Sequence, residues 1–468
     1  MKGNIGAGTA LLAVEAAAAV HFLMPREAPG AALFLECATL LGDLFASLLK
    51  ASAPFVVFLS LLCAFLPDST ENDASRKGSP SDTSDSAAPS SVRRVWRRAF
   101  GLYVLSMTGA AAIALVLSLL WWQGEENSPT FLPETASVVG EGETLPIFPV
   151  VQDLLGALDA FSGFFTGYAL FGVLLCGAAA GLWLGRSVRR NMTEPSSGQP
   201  ARSGALRFFL AANAFFRGFL RGLLRLLPLG LFGLLTGLLE EYGAEGLARY
   251  GELAVFMAGV TLSVGLLFLP LLYALALFFG HGERRVGPGA AFGEAYAVLG
   301  KVLRESALPA FATRSSLSNI PVNLALASSL GLRKKTADLL VPLAAVLHMP
   351  GAAVTIASIT VFSAVALGVS IDFSDVFLLL PATVLAATAA SGIPNGSVLM
   401  LPAILGLAGV SPADQALCIS VYFAADILQD AVGTALNSSG DIYLAAAAER
   451  SVLGRGGRET SPNDPQCP

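Results

Sequence analysis

The amino-acid sequence predicts an all-α membrane protein with eight transmembrane helices and two re-entrant helical hairpins. Three observations predict this fold class. The chain of 468 residues is 54% hydrophobic and only 13% charged, whereas a soluble domain carries about 25% charged residues. Long apolar runs recur from end to end, each near or above the roughly 20 residues that a helix needs to cross the hydrocarbon core. Two further apolar segments are interrupted by helix-breaking residues.

The eight predicted spans are uninterrupted apolar runs that follow one another along the chain. The first run has no small-residue cleavage site after it, so we interpret it as a retained helix rather than a signal peptide. Several runs are longer than a perpendicular helix requires, which indicates tilt. The predicted spans are residues 5–24, 44–66, 99–122, 158–185, 206–238, 251–280, 338–368 and 413–445.

The two interrupted segments, residues 292–332 and 374–410, predict hairpins. The first breaks at "ATRSSLSNIP" and the second at "SGIPNGS", where Gly, Pro, Ser and Asn stop a helix. Each half is too short to span alone, so each segment is expected to enter and leave the membrane on the same side. Irregular backbone at membrane depth is tolerated where it is buried in protein or lines a polar cavity, so two breaks indicate a functional site.

Loop charges give the orientation of the chain. With the N-terminus inside, every strongly basic loop is cytoplasmic, and this alternation requires that neither hairpin crosses the membrane. The opposite loop "QGEENSPTFLPETASVVGEGETLP" has no Lys or Arg. Both termini are then cytoplasmic, and we expect the protein to lie in the inner membrane of the cell.

The composition excludes other function classes. The net charge is −5, and no basic run is long enough to bind nucleic acid. The five cysteines show no metal-binding spacing. An intramembrane aspartyl protease needs a paired Asp on a second helix. The acids Asp372 and Asp375 near span seven lie at its outer end, so we do not expect an enzyme.

Span eight carries a stripe of oxygen-bearing side chains in one of the most apolar parts of the chain. At about 100° per residue, Asp426, Asp430, Asn437 and Asp441 fall within roughly a 60° arc, with Thr434 beside it. A carboxylate at the bilayer centre costs several kcal/mol, so these groups must face cations, donors or a watery cavity. Ammonium groups and hard cations such as sodium suit this chemistry. Hydrogen bonding between helices is the alternative explanation.

Four segments resemble the signature motifs of the dicarboxylate/amino acid:cation symporter family, also called the sodium:dicarboxylate symporter family. They are "ATRSSLSNIPVN", "HMPGAAVTI", "SGIPNGSVLMLP" and "LQDAVGTALNSSGD", in order and with the correct spacing. "IPVNLAL" and "MPGAAVTI" are most similar to the bacterial sodium-coupled serine/threonine symporter branch. The resemblance implies an elevator-type transporter with inverted repeats, which forms a homotrimer in the lipid membrane and imports amino acids with sodium.

The resemblance further implies a rigid scaffold and a transport domain that slides across the membrane. The implied regions are scaffold helices one and two at 1–66, transport-domain helix three at 99–122, scaffold helices four and five at 158–240 and the transport-domain core at 241–449. Composition and loop charges, rather than the resemblance, predict a disordered cytoplasmic insert at 67–98, an extracellular loop at 123–157 and a disordered tail at 450–468.

The substrate site that the resemblance implies uses both hairpin tips and span eight. The first tip would meet the substrate carboxylate, the second tip would form the outer gate, and Asp430 would bind the amino group. The implied substrate-binding residues are Arg314, Ser315, Ser316, Ala352, Ile393, Pro394, Asn395, Gly396, Ser397, Asp426, Asp430, Gly433, Thr434 and Asn437.

A sodium site is implied in the same way, with one or two ions expected. Its implied ligands, partly backbone carbonyls, are Ala344, Val346, His348, Asn437 and Asp441. A third sodium site of the family is expected to be absent, because His348 and Pro350 replace the Asn and Asp of most members. Tyr103 and Ser106 of span three fall where the family has other residues of that site. A His348 that titrates and couples proton movement is the alternative.

Gly433 stands where members with acidic substrates have an Arg. That Arg grips a side-chain carboxylate in a bidentate pair, and glycine offers neither charge nor donor. We therefore expect a small neutral amino acid such as serine or threonine. An acidic amino acid or dicarboxylate carrier, coupled to sodium or protons, is the alternative, and Arg314 is the nearby cation that would support it.

Overall fold

The computed structural model of the protein is helical throughout the part of the chain that it describes, which confirms the all-α class there. The described residues are 6–25, 30–64, 89–123, 147–164, 172–184 without 174, 178 and 182, 204–280, 286–390, 396–412 and 414–453. Predictions for residues 67–88, most of the loop 123–157, the tip residues Ile393, Pro394 and Asn395, and the tail beyond 453 lie outside the described residues.

Within the described ranges, one short 3-10 segment and two π-helical segments connect consecutive α-helices. A 3-10 turn covers Leu224–Leu226, and π turns cover Val264–Phe268 and Leu303–Ala307. In chain order the α-helices are α1 (Gly6–Leu23), α2 (Ala31–Ala64), α3 (Pro89–Trp122), α4 (Ile147–Phe164), α5 (Gly204–Leu223), α6 (Leu227–Ser263), α7 (Leu269–Phe278), α8 (Pro288–Val302), α9 (Leu308–Thr313), α10 (Ile320–Ser329), α11 (Lys334–Leu347), α12 (Pro350–Ala366), α13 (Val376–Ala389), α14 (Gly396–Leu407) and α15 (Gln415–Leu453).

Several of these helices suit a membrane. Within the described residues, four helical stretches are long and apolar enough to cross one, and a bent pair within α15 makes a fifth if it counts as one span. The predicted total of eight spans stays a prediction. The stretches are Ala31–Ser52, Arg93–Trp122, Ala248–Phe278 and Lys334–Ala366, and the bent pair is Leu417–Asp426 with Leu428–Leu453.

Several predicted boundaries differ from the observed helices. α2 begins at Ala31 rather than at 44, α3 begins at Pro89 within the predicted insert 67–98, and α4 begins at Ile147 within the predicted extracellular loop 123–157.

α6 continues through residues 239–250, which we predicted to connect two spans. These residues contain no proline, and Glu, Ala, Leu and Arg are good helix formers, so the helix extends beyond its apolar part. The predicted span 338–368 largely coincides with the candidate span Lys334–Ala366, but it is not one continuous helix, because α11 ends at Leu347 and His348 has extended backbone (φ −103°, ψ 99°). Pro350 lacks the N–H that a continuous helix would need.

The described helices fall into two compact units. The first unit comprises Met1–Ser69, Ala111–Val260 and Ala352–Asp430, and the second comprises Thr70–Ala110, Thr261–Gly351 and Ala431–Pro468. The boundaries of these units differ from those of the predicted scaffold and transport domains, which stay a prediction.

Aromatic side chains join the helices of the first unit. Trp122 of α3 is 0% exposed. Its ring centroid lies 4.9 Å from that of Phe362 on α12 and 5.6 Å from that of Phe256 on α6, both edge to face. On α2, Phe45 lies 5.8 Å from Phe423 of α15. α2 also packs against α13 and α14, the two arms of the predicted second hairpin.

The second unit contains hairpin 1, residues 288–329. Its first arm is α8, the π turn Leu303–Ala307 and α9, and its second arm is α10. The break predicted at "ATRSSLSNIP" is confirmed, because α9 ends at Thr313 and α10 begins at Ile320. Arg314 follows α9 in the left-handed conformation (φ 51°) and so turns the chain out of the helix.

The two arms of hairpin 1 are antiparallel. Lys301 Nζ on the first arm donates to the carbonyl of Ser329 on the second arm at 3.2 Å. Five residues along the first arm, Ser306 Oγ donates to Asn323 Oδ1 at 2.6 Å. Positions that advance along one arm therefore recede along the other.

Arg450 of α15 holds the base of hairpin 1. Its guanidinium Nη1 donates to Glu294 Oε1 of the first arm at 2.8 Å and to the Tyr273 hydroxyl of α7 at 2.7 Å. Its Nη2 donates to the carbonyl of Leu330, directly after the second arm, at 2.9 Å. One forked side chain thus binds both arms, a geometry that a lysine does not offer.

Candidate functional site

Three neighbouring side chains of α15 connect it to the rest of the second unit. Asn437 is 5% exposed, and Ser438 and Asp441 are 0% exposed. Each binds a different element, namely the start of α12, hairpin 1, and the break between α11 and α12. The polar stripe that the sequence indicates on α15 is therefore buried at Asn437 and Asp441 and hydrogen-bonded there to other elements, while Ser438 lies outside the predicted stripe.

Asp441 binds His348, which lies in the break after α11. His348 Nδ1 is 2.9 Å from Asp441 Oδ1, and both side chains are 0% exposed. When the carboxylate is ionised it only accepts hydrogen bonds, and Nδ1 then carries the proton that faces it. The other carboxylate oxygen, Oδ2, is buried and has no hydrogen-bond partner among the described residues. An acceptor left in this way costs free energy unless a cation or a water binds it.

The other predicted sodium ligands on α11 are Ala344 and Val346, which differ in burial. The carbonyl of Ala344 accepts the backbone N–H of His348 at 2.8 Å, which closes the last turn of α11. Since a carbonyl oxygen has two lone pairs, this bond leaves one of them available. Val346 is half-buried. The structure brings His348 and Asp441 together through their side chains.

Asn437 is oriented by the backbone at the start of α12. Its Oδ1 accepts the N–H of Gly351 at 2.7 Å. This bond assigns the amide, because Oδ1 must face the donor and Nδ2 is then turned away to donate elsewhere. The two helices are in backbone contact here, since a Cβ added at Gly351 would lie 2.5 Å from Cα of Gly433.

A second buried network connects α15 to hairpin 1, and the sequence reasoning did not identify it. Asn319 Nδ2, just after the tip, donates to Ser438 Oγ at 2.8 Å and to the carbonyl of Ser306 at 3.1 Å. Asn323 Nδ2 donates to the carbonyl of Ser438 at 2.9 Å. The available signal was the spacing of the two asparagines, four residues apart in "SNIPVN", which places both on one face of a helix.

The hairpin 1 tip is ordered by its own hydrogen bonds. Ser315 Oγ accepts from the backbone N–H of Ser318 at 3.3 Å and from its hydroxyl at 3.0 Å. The carbonyl of Ser316 accepts the N–H of Asn319 at 3.2 Å. Arg314, Ser315 and Ser316 are half-buried. The predicted tip therefore forms a compact turn.

The other predicted substrate residues divide between the two units. Gly433 and Thr434 are buried in the second unit with Asn437. The grouping of all these residues into one site stays a prediction. In the first unit Ala352, Gly396 and Asp426 are buried, and Ser397 and Asp430 are half-buried.

Comparison with known proteins identifies the family of the chain. A sequence model of the sodium:dicarboxylate symporter family matches residues 83–451, which run from before the start of α3 into the last turn of α15. Two similar proteins are named serine/threonine transporter SstT, one from Streptococcus agalactiae serotype III (strain NEM316) and one from serotype Ia (strain A909). Each is 30% identical over 417 residues, which cover 89% of this chain and 90% of the relative. With apolar helices, two helix pairs at the predicted hairpins and a buried polar stripe on its last helix, the chain belongs to the sodium:dicarboxylate symporter family.

Proposed function

We propose that the protein is a symporter that imports small neutral amino acids, such as serine and threonine, together with sodium. Membership of the family makes the chain an integral membrane transporter and not an enzyme. The observation that carries sodium coupling is the buried carboxylate of Asp441, whose Oδ2 has no hydrogen-bond partner among the described residues. A hard cation is the ligand that such an oxygen favours.

In this proposal sodium binds Asp441 Oδ2 together with backbone carbonyls near the break of α11. The carbonyl of Ala344 keeps a lone pair for this purpose. Asn437 would contribute its backbone carbonyl or the second lone pair of its side-chain Oδ1, since the N–H of Gly351 takes one of the two. One or two sodium ions accompany each amino acid. Pro350 brings no side-chain oxygen, which supports the absence of a third site.

The substrate would lie against Asn437 with its carboxylate and against Asp430 with its ammonium group. The orientation of the Asn437 amide supports this arrangement, since Nδ2 is the group left to donate. Gly433 brings no charge to the substrate side chain, so a neutral residue such as serine avoids the unpaired buried charge that aspartate would introduce. The SstT relatives are named as transporters of serine and threonine.

Transport would follow an elevator mechanism in a homotrimer of the inner membrane, with lipid around each protomer and both termini in the cytoplasm. The network of Asn319 and Ser438 supports the part of this proposal in which hairpin 1 moves with α15 as one body. The residues of the second hairpin tip would then act as the outer gate.

Counterflow in proteoliposomes tests this function. Vesicles loaded with unlabelled serine should accumulate labelled serine when sodium is present, and threonine and alanine should compete with it. Aspartate should not compete. Exchange that is unaffected by replacing sodium with choline would refute sodium coupling. Strong competition by aspartate would instead favour the acidic amino acid or dicarboxylate carrier.

A further inference from the structure

His348 lies at the centre of a closed polar cluster in the second unit. Its Nδ1 binds Asp441 Oδ1 at 2.9 Å, and its Nε2 binds Ser106 Oγ of α3 at 3.1 Å. All three side chains are 0% exposed. The hydroxyl of Tyr103 donates to the carbonyl of Asp441 at 3.0 Å, and its ring centroid lies 4.8 Å from that of the imidazole. Both ring nitrogens are therefore engaged, and the ring is enclosed.

Gly440 provides the space that this imidazole occupies. A Cβ added at Gly440 would lie 2.9 Å from Cε1 of His348, closer than real Cβ contacts come. The ring therefore lies directly on the backbone of α15, one residue before Asp441. His348 and Gly440 are thus a sterically matched pair, in which the histidine in this position requires the glycine.

The groups around the imidazole are oxygens. Without the ring, the space would be bordered by the Ser106 hydroxyl and Asp441 Oδ1, with the Tyr103 hydroxyl next to them. Hydroxyl and carboxylate oxygens are the ligands that hard cations take. A buried carboxylate also needs a donor or a cation on each oxygen. In this chain the ring N–H serves that purpose at Oδ1.

We propose that the imidazole of His348 occupies a position in which a cation could otherwise bind. The ring binds Asp441 Oδ1 and fills the space between Ser106, Tyr103 and Asp441. Asp441 therefore offers only Oδ2 to sodium. This inference rests on the proposed sodium coupling at Asp441. His348 then sets how many sodium ions accompany one amino acid. It is a positioning residue, because it acts through the carboxylate and not on the substrate.

The test compares two substitutions of His348 that differ in length. Glutamine reaches Asp441 with an N–H donor and fills much of the space, so His348→Gln should keep the wild-type number of sodium ions per serine. Asparagine is shorter and leaves room beside two oxygens, so His348→Asn should bind one additional sodium ion. The number of ions is measured from the membrane potential at which net serine flux stops in proteoliposomes. The sodium dependence of the thermal midpoint in detergent, without substrate, gives a second readout.

The Gly440 side of the pair gives an independent measurement. Gly440→Ala should displace the ring from Asp441 and change the sodium concentration at half-maximal stabilisation at least threefold. Gly300→Ala, where an added Cβ meets nothing within 4 Å, should leave that concentration unchanged. The proposal is overturned if a folded His348→Asn couples the wild-type number of sodium ions, or if Gly440→Ala behaves like Gly300→Ala. Loss of all sodium dependence in the wild type would refute the proposed function itself.

Discussion

Substituting Gly351 by alanine should weaken serine binding through the contact between α12 and α15. The new methyl carbon would lie 2.5 Å from Cα of Gly433, whereas carbon atoms rest about 3.5–4.0 Å apart, so the helices must separate by about 1 Å. Backbone atoms form the contact on the Gly433 side, so no side-chain rotation relieves it. The 2.7 Å bond from the Gly351 N–H to Asn437 would be lost at that separation. Overpacking of this kind costs about 1–3 kcal/mol.

If this cost falls on the substrate-bound state, the serine KM should rise roughly 5- to 150-fold, at 1.4 kcal/mol for each factor of ten. The assay is sodium-dependent serine uptake in proteoliposomes, with thermal unfolding in detergent to confirm that the variant is folded. Gly293→Ala is the matched control, because Gly293 is also in a helix and an added Cβ there meets nothing within 4 Å. A Gly351→Ala variant whose KM stays within about twofold of the control would show that Asn437 is not held by this contact.

The remaining predictions concern the other contacts of α15. Asp441→Asn should raise the sodium concentration for half-maximal uptake at least tenfold, which corresponds to about 1.4 kcal/mol. Substitution of the exposed Asp338 by Asn should not change this concentration. If the two variants have the same half-maximal sodium concentration, Asp441 does not bind sodium. Asn319→Ala should lower the free energy of unfolding by about 1–3 kcal/mol, because it leaves buried acceptors without a donor. The control is Ser328→Ala at an exposed position, and equal thermal midpoints for the two variants would contradict the prediction. Arg450→Lys should also lower the thermal midpoint, since an ammonium group does not bind both arms of hairpin 1, and an unchanged midpoint would mean that the base is held in another way.

The breaks in the helices were predictable only where the local residues allow a single explanation. The Ser, Asn and Pro residues clustered in "ATRSSLSNIP" disfavour a continuous helix, and the structure ends α9 and restarts α10 around them. A proline alone is ambiguous, because it also begins helices. We therefore missed the break at His348, where Pro350 begins α12. Residues 239–250 show the opposite error. Their polarity led us to predict a connection between two spans, but their helix propensity is high and the structure has a helix there.

The partners of the polar residues were not predictable from periodicity. Periodicity places Asn437, Ser438 and Asp441 on a helix that must bury oxygen, but it does not say what each one meets. His348 is 93 residues from Asp441, and Asn319 is 119 residues from Ser438. Such pairs depend on how helices pack in three dimensions. The resemblance to the family supplied the importance of Asp441, and the structure supplied its bond to His348.

The position of Arg450 has a consequence for how the protein is made. Glu294 is synthesised with the first arm of hairpin 1, yet its guanidinium partner lies 156 residues further along the chain. At about 5–20 residues per second, the ribosome needs roughly 8–30 s to synthesise the intervening segment. During that interval hairpin 1 lacks the contacts that Arg450 makes with Glu294 and with the carbonyl of Leu330. The base of hairpin 1 is thus completed late in biogenesis, after Arg450 of α15 has been synthesised.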